Sequence, residues 1–204
     1  MEFIGRIEEL KRLNKIINSK DLATALIFGR RRVGKSELVK YSLKENNEVK
    51  IYYECKEVSE KSNVQGLSDI LSEELNLPRL KFEDIESILK YIFELSINKK
   101  IILVLDEYSY LKKTINGIDS ILQVLIDKYK DKSKLSLIIL GSYVDIMKSM
   151  LLHSNPLYGR IDLTIELKPM DYYDSSLFYP NFSSEDKIKF YSVFGGIPYY
   201  NRLI

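Results

Sequence analysis

Apolar residues fall along this chain in two rhythms. Ile7, Leu10, Leu13, Ile16 and Ile17 recur at helical spacing and predict a helix over 6–18. Residues 22–28 (LATALIF) form a short continuous apolar run that stops at Gly29, the mark of a strand covered on both faces. A helix is expected over 35–45, a strand over 49–54 (VKIYYE), and helices over 62–76 and 82–97, parted by Pro78. Uninterrupted apolar runs return at 101–105 (IILVL) and 135–140 (LSLIIL), with a helix expected over 115–129 between them. A weaker strand is expected over 161–167, then helices over 171–178 and 185–194. After Gly195-Gly196-Ile197-Pro198, the segment YYNRLI reads as the first turns of a helix, with no C-cap signal before the last residue. Buried strands alternating with helices predict an α/β domain with a doubly wound parallel sheet. No internal repeat, linker or low-complexity segment interrupts the pattern.

Composition narrows the chemistry. With 204 residues, 45% of them hydrophobic, the chain can bury a full α/β core. Its 31 basic and 29 acidic residues leave a net charge of +2, so no global charge draws it to nucleic acid or anionic lipid. One cysteine, Cys55, and one histidine, His153, exclude an internal disulfide and argue against a Cys/His zinc site or a Ser-His-Asp triad. His153 is expected on the surface. The N-terminus carries no basic segment with an apolar stretch, and no run approaches the length of a membrane span, so the expected location is cytoplasmic, without a membrane partner.

The chemistry-bearing segments lie where the predicted strands end. Gly29-Arg30-Arg31-Arg32-Val33-Gly34-Lys35-Ser36 matches the Walker A pattern and stands between a predicted strand and a predicted helix. Its glycines allow backbone amides to converge on phosphate oxygens, and the following helix offers its positive end to the same anion. Gly29, Arg32, Val33, Gly34, Lys35, Ser36 and Glu37 are therefore expected around the nucleotide, with Lys35 on the β- and γ-phosphates and Ser36 on magnesium. Arg30, Arg31 and Arg32 are read equally as phosphate or partner contacts and as solvated loop residues. The run 101–105 ends in Asp106-Glu107, the Walker B pattern. Asp106 would hold the magnesium, and Glu107 would orient and polarise the attacking water. The run 135–140 ends in Gly141-Ser142. Ser142 is read as a sensor of the γ-phosphate or of that water, or else as a helix N-cap. Arg160, in Pro156-Leu157-Tyr158-Gly159-Arg160, has two readings as well: a catalytic arginine, or a loop residue paired with Asp162 or Glu166.

Together these segments resemble the archaeal ATPase family of P-loop proteins, one of the signal-transduction ATPases with numerous domains and a relative of AAA+ proteins. The resemblance rests on Phe3-Ile4-Gly5-Arg6 with Glu9-Leu10, the GRRRVGKS loop, LVLDEY at 103–108, LGS at 140–142, NPLYGR at 155–160, LKPM at 167–170 and GGIPYY at 195–200. It implies a five-stranded sheet of order 5-1-4-3-2, with the sensor strand between the Walker A and Walker B strands. It also implies that Ile4, Gly5 and Arg6 lie along the adenine, that Pro198 packs near the same base, and that Arg160 acts as a finger on a neighbouring subunit. An ATPase core over 1–170 and the start of a small helical lid over 171–204 are expected. Family members continue into a winged-helix domain and often a nuclease-like domain, so the lid is expected to be truncated here. The activity so implied is magnesium-dependent ATP binding and hydrolysis, slow in this chain alone, as the switch or motor core of a larger protein. The partners would be ATP and ADP, with room for a homo-oligomer and for nucleic acid bound through further C-terminal domains. The alternatives are a nucleotide-gated scaffold with little turnover and a DNA-associated ATPase.

Overall fold

The computed structural model describes residues 3–204. The chain runs α1 (Ile7–Ile17), β1 (Ala23–Phe28), α2 (Lys35–Leu43), β2 (Val49–Glu54), α3 (Glu60–Glu74), α4 (Ile85–Asn98) and β3 (Ile101–Asp106). It continues through α5 (Ser109–Thr114), α6 (Ile118–Tyr129), β4 (Leu135–Gly141), α7 (Val144–Ser149) and β5 (Leu163–Glu166). Three helices close it: α8 (Tyr172–Ser176), α9 (Ser184–Phe194) and α10 (Pro198–Asn201).

The five strands form one parallel sheet in the order β2-β3-β4-β1-β5, which is the expected 5-1-4-3-2 read from the other edge. Successive residues of each strand go to opposite faces. Leu26, Phe28, Leu103, Leu105, Leu137 and Ile139 pack under α3, α4 and α6. Ala25, Ile27, Ile102, Val104, Ile138 and Leu140 pack against α1 and α2. Covering both faces removes the selection for polar residues at alternate positions, which is why β1, β3 and β4 read as continuous apolar runs. Sharp helix starts follow from local chemistry: Asp84 and Ser87 form a reciprocal capping box at α4, and Ser59 caps α3.

The helix expected over 115–129 is α6, which starts three residues later, and α5 is a further helix ahead of it that the pattern does not predict. Gly117, at φ 77°, caps α6, and α5 begins directly after the β3 turn. The closing helices build differently from the sheet. Around Tyr179, the rings of Phe190 and Phe182 stand 5.1 and 5.9 Å away, and the Tyr179 hydroxyl donates to Asn201 Oδ1 at 2.9 Å. No residue of α9 is fully buried. The turn before α10 meets the segment after β5 backbone to backbone: Met170 N–H donates to Gly196 O at 2.7 Å, and a Cβ on Gly196 would lie 1.6 Å from Met170 O. Among the described residues, no helix is long and apolar enough to cross a membrane.

Candidate functional site

The C-terminal edge of the sheet is built by β1, β3 and β4, the place where open parallel sheets bind ligands. The loop after β1 starts at Gly29, where a Cβ would stand 2.2 Å from Leu167 O, so no side chain fits. Arg32 at φ 70° and Gly34 at φ 95° are both left-handed, a geometry that turns amides toward one concavity. Gly34 then starts α2, a nine-residue helix with Lys35 in its first turn. The Lys35 ammonium is withdrawn from water and donates to Gly29 O (2.9 Å), Arg30 O (3.1 Å) and Ser142 Oγ (3.2 Å). Burial pushes its pKa below the usual lysine range, while the charges of Glu107 and Asp106 pull it back up.

Asp106, at the end of β3, is 4% exposed and fully held. Its Oδ2 accepts from Ser36 Oγ at 2.7 Å and from the Tyr52 hydroxyl at 2.5 Å, and its Oδ1 accepts from Glu107 N–H at 2.9 Å. Glu107 turns back through a left-handed residue, φ 53°, and lays its carboxylate on Ser142. Glu107 Oε2 accepts the Ser142 N–H at 3.1 Å, and Oε1 accepts its hydroxyl. The helix that follows Ser142 has Tyr143 at its N-cap and no side-chain cap bond, so the capping reading of Ser142 fails.

A cavity of about 710 Å³ opens over this edge. Lys35, Ser36, Glu107 and Ser142 line one end, and Phe3, Ile4, Met170, Phe178 and Pro198 supply apolar surface. The arrangement suits a ligand with an anionic tail and a flat apolar head. The Ser36 hydroxyl and Asp106 carboxylate are hard oxygen donors in contact with each other, a pair that would suit a small divalent cation shared with a ligand's oxygens. Among the described residues, no group of three or more His, Cys, Asp or Glu side chains forms an all-protein cage, and such a shared cation needs none.

Most of the expected contacts meet here: Ile4, Arg32, Gly34, Lys35, Ser36, Glu37, Glu107, Ser142 and Pro198 line the cavity, with Gly29 and Asp106 immediately behind. Three do not present side chains to it. Val33, 1% exposed, belongs to the core. Gly5 faces Asp174. Arg6 is a buried strap instead of an adenine contact: its guanidinium donates to Glu9 Oε1 (3.2 Å) and to Lys168 O. The loop arginines are mostly engaged by tyrosines. Arg31 donates to Tyr110 OH, and Arg32 lies 4.4 Å over the Tyr199 ring and donates to Tyr200 OH, tying the loop to α10.

Arg160 lies at the other end of the sheet. Its carbonyl accepts the hydroxyl of Thr24, the second residue of β1, whereas the nucleotide loop follows the last. Its guanidinium grips Asp127 of α6 with two 2.7 Å bonds. The pairing expected with Asp162 or Glu166 is corrected: Asp162 is bound to Thr24, and Glu166 to Lys148. His153 is exposed beside the Tyr158 ring, as expected for a surface residue. The reading from sequence missed Tyr52, Tyr110, the Tyr199–Tyr200 pair and Arg202, which forms an ion pair with Glu37 at 3.8 Å.

Comparison with known proteins agrees with this geometry. Residues 3–202 match the model of a family described as an ATPase domain predominantly from Archaea. An uncharacterised protein of Methanocaldococcus jannaschii is 31% identical over 199 residues, 97% of this chain and 43% of that protein, so the chain spans less than half of its relative. The Walker-type ATPase of Pyrococcus abyssi superposes with a TM-score of 0.72 at 21% identity, covering 98% of this chain and 65% of that one. The ORC2 protein of Aeropyrum pernix, solved as complexes with ADPNP and ADP, gives 0.65 at 14% identity over 91% and 52%. Drosophila ORC bound to DNA gives 0.66 at 13% over 98% and 54%. At these identities the solved structures share the fold.

Proposed function

Since the chain belongs to the family of ATPase domains found predominantly in Archaea, we propose that it binds ATP with magnesium and hydrolyses it in the cytoplasm, as the switch or motor core of a larger protein. The observation that carries this is the convergence of Lys35, Ser36, Asp106, Glu107 and Ser142 on one sheet edge beside a cavity with an apolar wall. Lys35 exchanges its loop carbonyls for phosphate oxygens. Ser36 and Asp106 hold the magnesium, which when bound neutralises charge on the phosphates. Glu107 leaves Ser142 to orient the attacking water and take its proton, and Ser142 then faces the terminal phosphate. Phe3, Ile4, Met170 and Pro198 cover the base, with residues 171–204 as a lid held to the loop through Arg32.

Calorimetry of the folded chain tests the central claim. Mg-ATP should bind, and Lys35→Ala should weaken it. Absence of heat with the folded wild-type chain would overturn the reading. Arg160, remote from its own site, enters the proposal only as a finger for a neighbour, an arrangement worth roughly 10³–10⁵ in rate where it operates. Mixing Arg160→Ala and Lys35→Ala subunits should then restore turnover to an assembly in which each alone is inactive; no recovery in demonstrated mixed assemblies removes that role.

A second reading has its own support. Both Glu107 oxygens are taken by Ser142, a parked base that suits a nucleotide-gated switch with little turnover. Tight Mg-ATP binding with negligible steady-state hydrolysis would favour it. Association with DNA has weaker support: the loop cations Arg31 and Arg32 are engaged by tyrosines, and the net charge is only +2.

A further inference from the structure

We propose that Tyr52 is a positioning residue for the divalent cation, holding the metal carboxylate from the neighbouring strand; the inference rests on the nucleotide-binding reading above. In the β2–β3 ladder, Glu54 stands opposite Asp106 and Tyr52 opposite Val104, so Tyr52 and Asp106 share a face two residues apart. A phenol is long enough to bridge that offset, and its hydroxyl donates to Asp106 Oδ2 at 2.5 Å. The same oxygen accepts Ser36 Oγ, while Oδ1 is fixed by Glu107 N–H. Three donors from three places therefore set the carboxylate plane before any cation arrives.

Their roles differ. The Glu107 amide is backbone and follows Asp106 wherever it goes. Ser36 is itself a ligand for the cation, so its hydroxyl answers to the metal as well as to Asp106. Tyr52 alone belongs to a separate strand and has no reason to move with nucleotide. Its ring is braced by the Lys40 ammonium 5.3 Å from the centroid, on the helix that carries Ser36. Partners that orient a ligating carboxylate are typically worth 10–100-fold in metal affinity or activity.

Adjacent Tyr53 supplies an internal control. It points to the other face, and its hydroxyl donates to Asn63 Oδ1 at 2.8 Å, away from the metal carboxylate. The experiment titrates Mn²⁺, followed by electron paramagnetic resonance, into the wild-type chain, Tyr52→Phe and Tyr53→Phe with saturating ADP. Nucleotide affinity is measured separately in excess chelator, and folding of each variant is checked by circular dichroism. Tyr52→Phe should weaken Mn²⁺ about tenfold or more while metal-free ADP affinity stays within about twofold, and Tyr53→Phe should leave both unchanged. Mn²⁺ affinity within about twofold of wild type in Tyr52→Phe overturns the proposal. So does an equal loss of metal-free ADP binding, which would make Tyr52 part of the pocket wall. A similar Mn²⁺ loss in Tyr53→Phe overturns it too, since the effect would then come from β2 as a whole. A folded wild type that binds no nucleotide would instead remove the underlying reading.

Discussion

Lys35 at the C-terminal edge of the sheet and Lys100 at its N-terminal edge are bonded alike. Lys35 donates to two loop carbonyls and Ser142 Oγ; Lys100 donates to Ser19 O and Ser136 Oγ, each at 2.7 Å. Burial depresses both pKa values, that of Lys100 to about 8. The surroundings separate them. Lys35 opens a nine-residue helix behind a left-handed loop, faces the fixed carboxylates of Asp106 and Glu107, and borders a cavity. Lys100 fills the join between the end of α1 and the start of β4, where Ser136 also donates to Ile16 O. A buried lysine is thus no site by itself. Converging amides, a helix start and open volume mark one of them as the proposed phosphate ligand, and the other lies in a seam.

Four substitutions probe that contrast before its pH dependence does. Glu107→Gln should have the largest effect, lowering turnover by about 10²–10⁴-fold through loss of the base, with Mg-ATP affinity within about threefold by calorimetry. Unchanged turnover would move the base elsewhere. Lys35→Met should weaken ATP by about 10–100-fold, since hydrogen bonds to charged groups contribute about 1.5–3 kcal/mol, whereas Lys100→Met should leave ATP affinity unchanged. Equal losses in both would erase the distinction between the two ends. Arg160→Ala, also at the far end, breaks a pair that is largely open to solvent and should cost at most about 1 kcal/mol in urea unfolding, with no change in ATP affinity.

Strands β1, β3 and β4 were legible because burial on both faces wrote them as apolar runs, β2 and β5 more faintly from alternation, and the loop and Asp106 because their motifs are local. The strand order was not in the runs; it came with the resemblance. What stayed hidden depends on distance along the chain. Arg160 meets Asp127, 33 residues away, and Arg32 meets Tyr200, 168 residues away, so neither pairing leaves a local pattern. The Tyr52–Asp106 bond needs the β2–β3 register, though the alternation in VKIYYE already assigns Tyr52 and Glu54 to one face. Arg6 was misread because a motif string carries no direction: at φ 60° the backbone turns its side chain to Lys168 and Glu9. The helix expected over 115–129 stands as α6, its start set at Ile118 by the left-handed Gly117, while α5, only six residues long, was too short to show a helical period.

The smallest effect expected is the pH dependence of stability that Lys100 imposes, and its sign follows from burial. A lysine depressed from the ordinary 10.5 to about 8 in the folded chain holds its proton less tightly there than in the unfolded chain. Between those values the unfolded state binds more protons, so stability rises with pH across that window and is flat below it as far as this group is concerned. Glu48 and Asp21 oppose the shift by favouring the charged form, but burial outweighs them. Tyrosines act in the opposite sense higher up. Tyr53, pushed up to about 12 by burial, and the buried Tyr108 resist ionisation in the fold, so stability is lost above pH 10 as unfolded tyrosines deprotonate. The window for Lys100 is therefore about pH 8 to 10. Urea midpoints of Lys100→Met should rise less through it than those of the wild type, since both keep the contribution of Lys35, whose shift has the same direction, and the opposing one of Cys55, whose buried thiol holds its proton above the ordinary 9.0. If Lys100→Met keeps the full rise, the far-end lysine is as solvated as a surface residue, and its likeness to Lys35 ends at its hydrogen bonds.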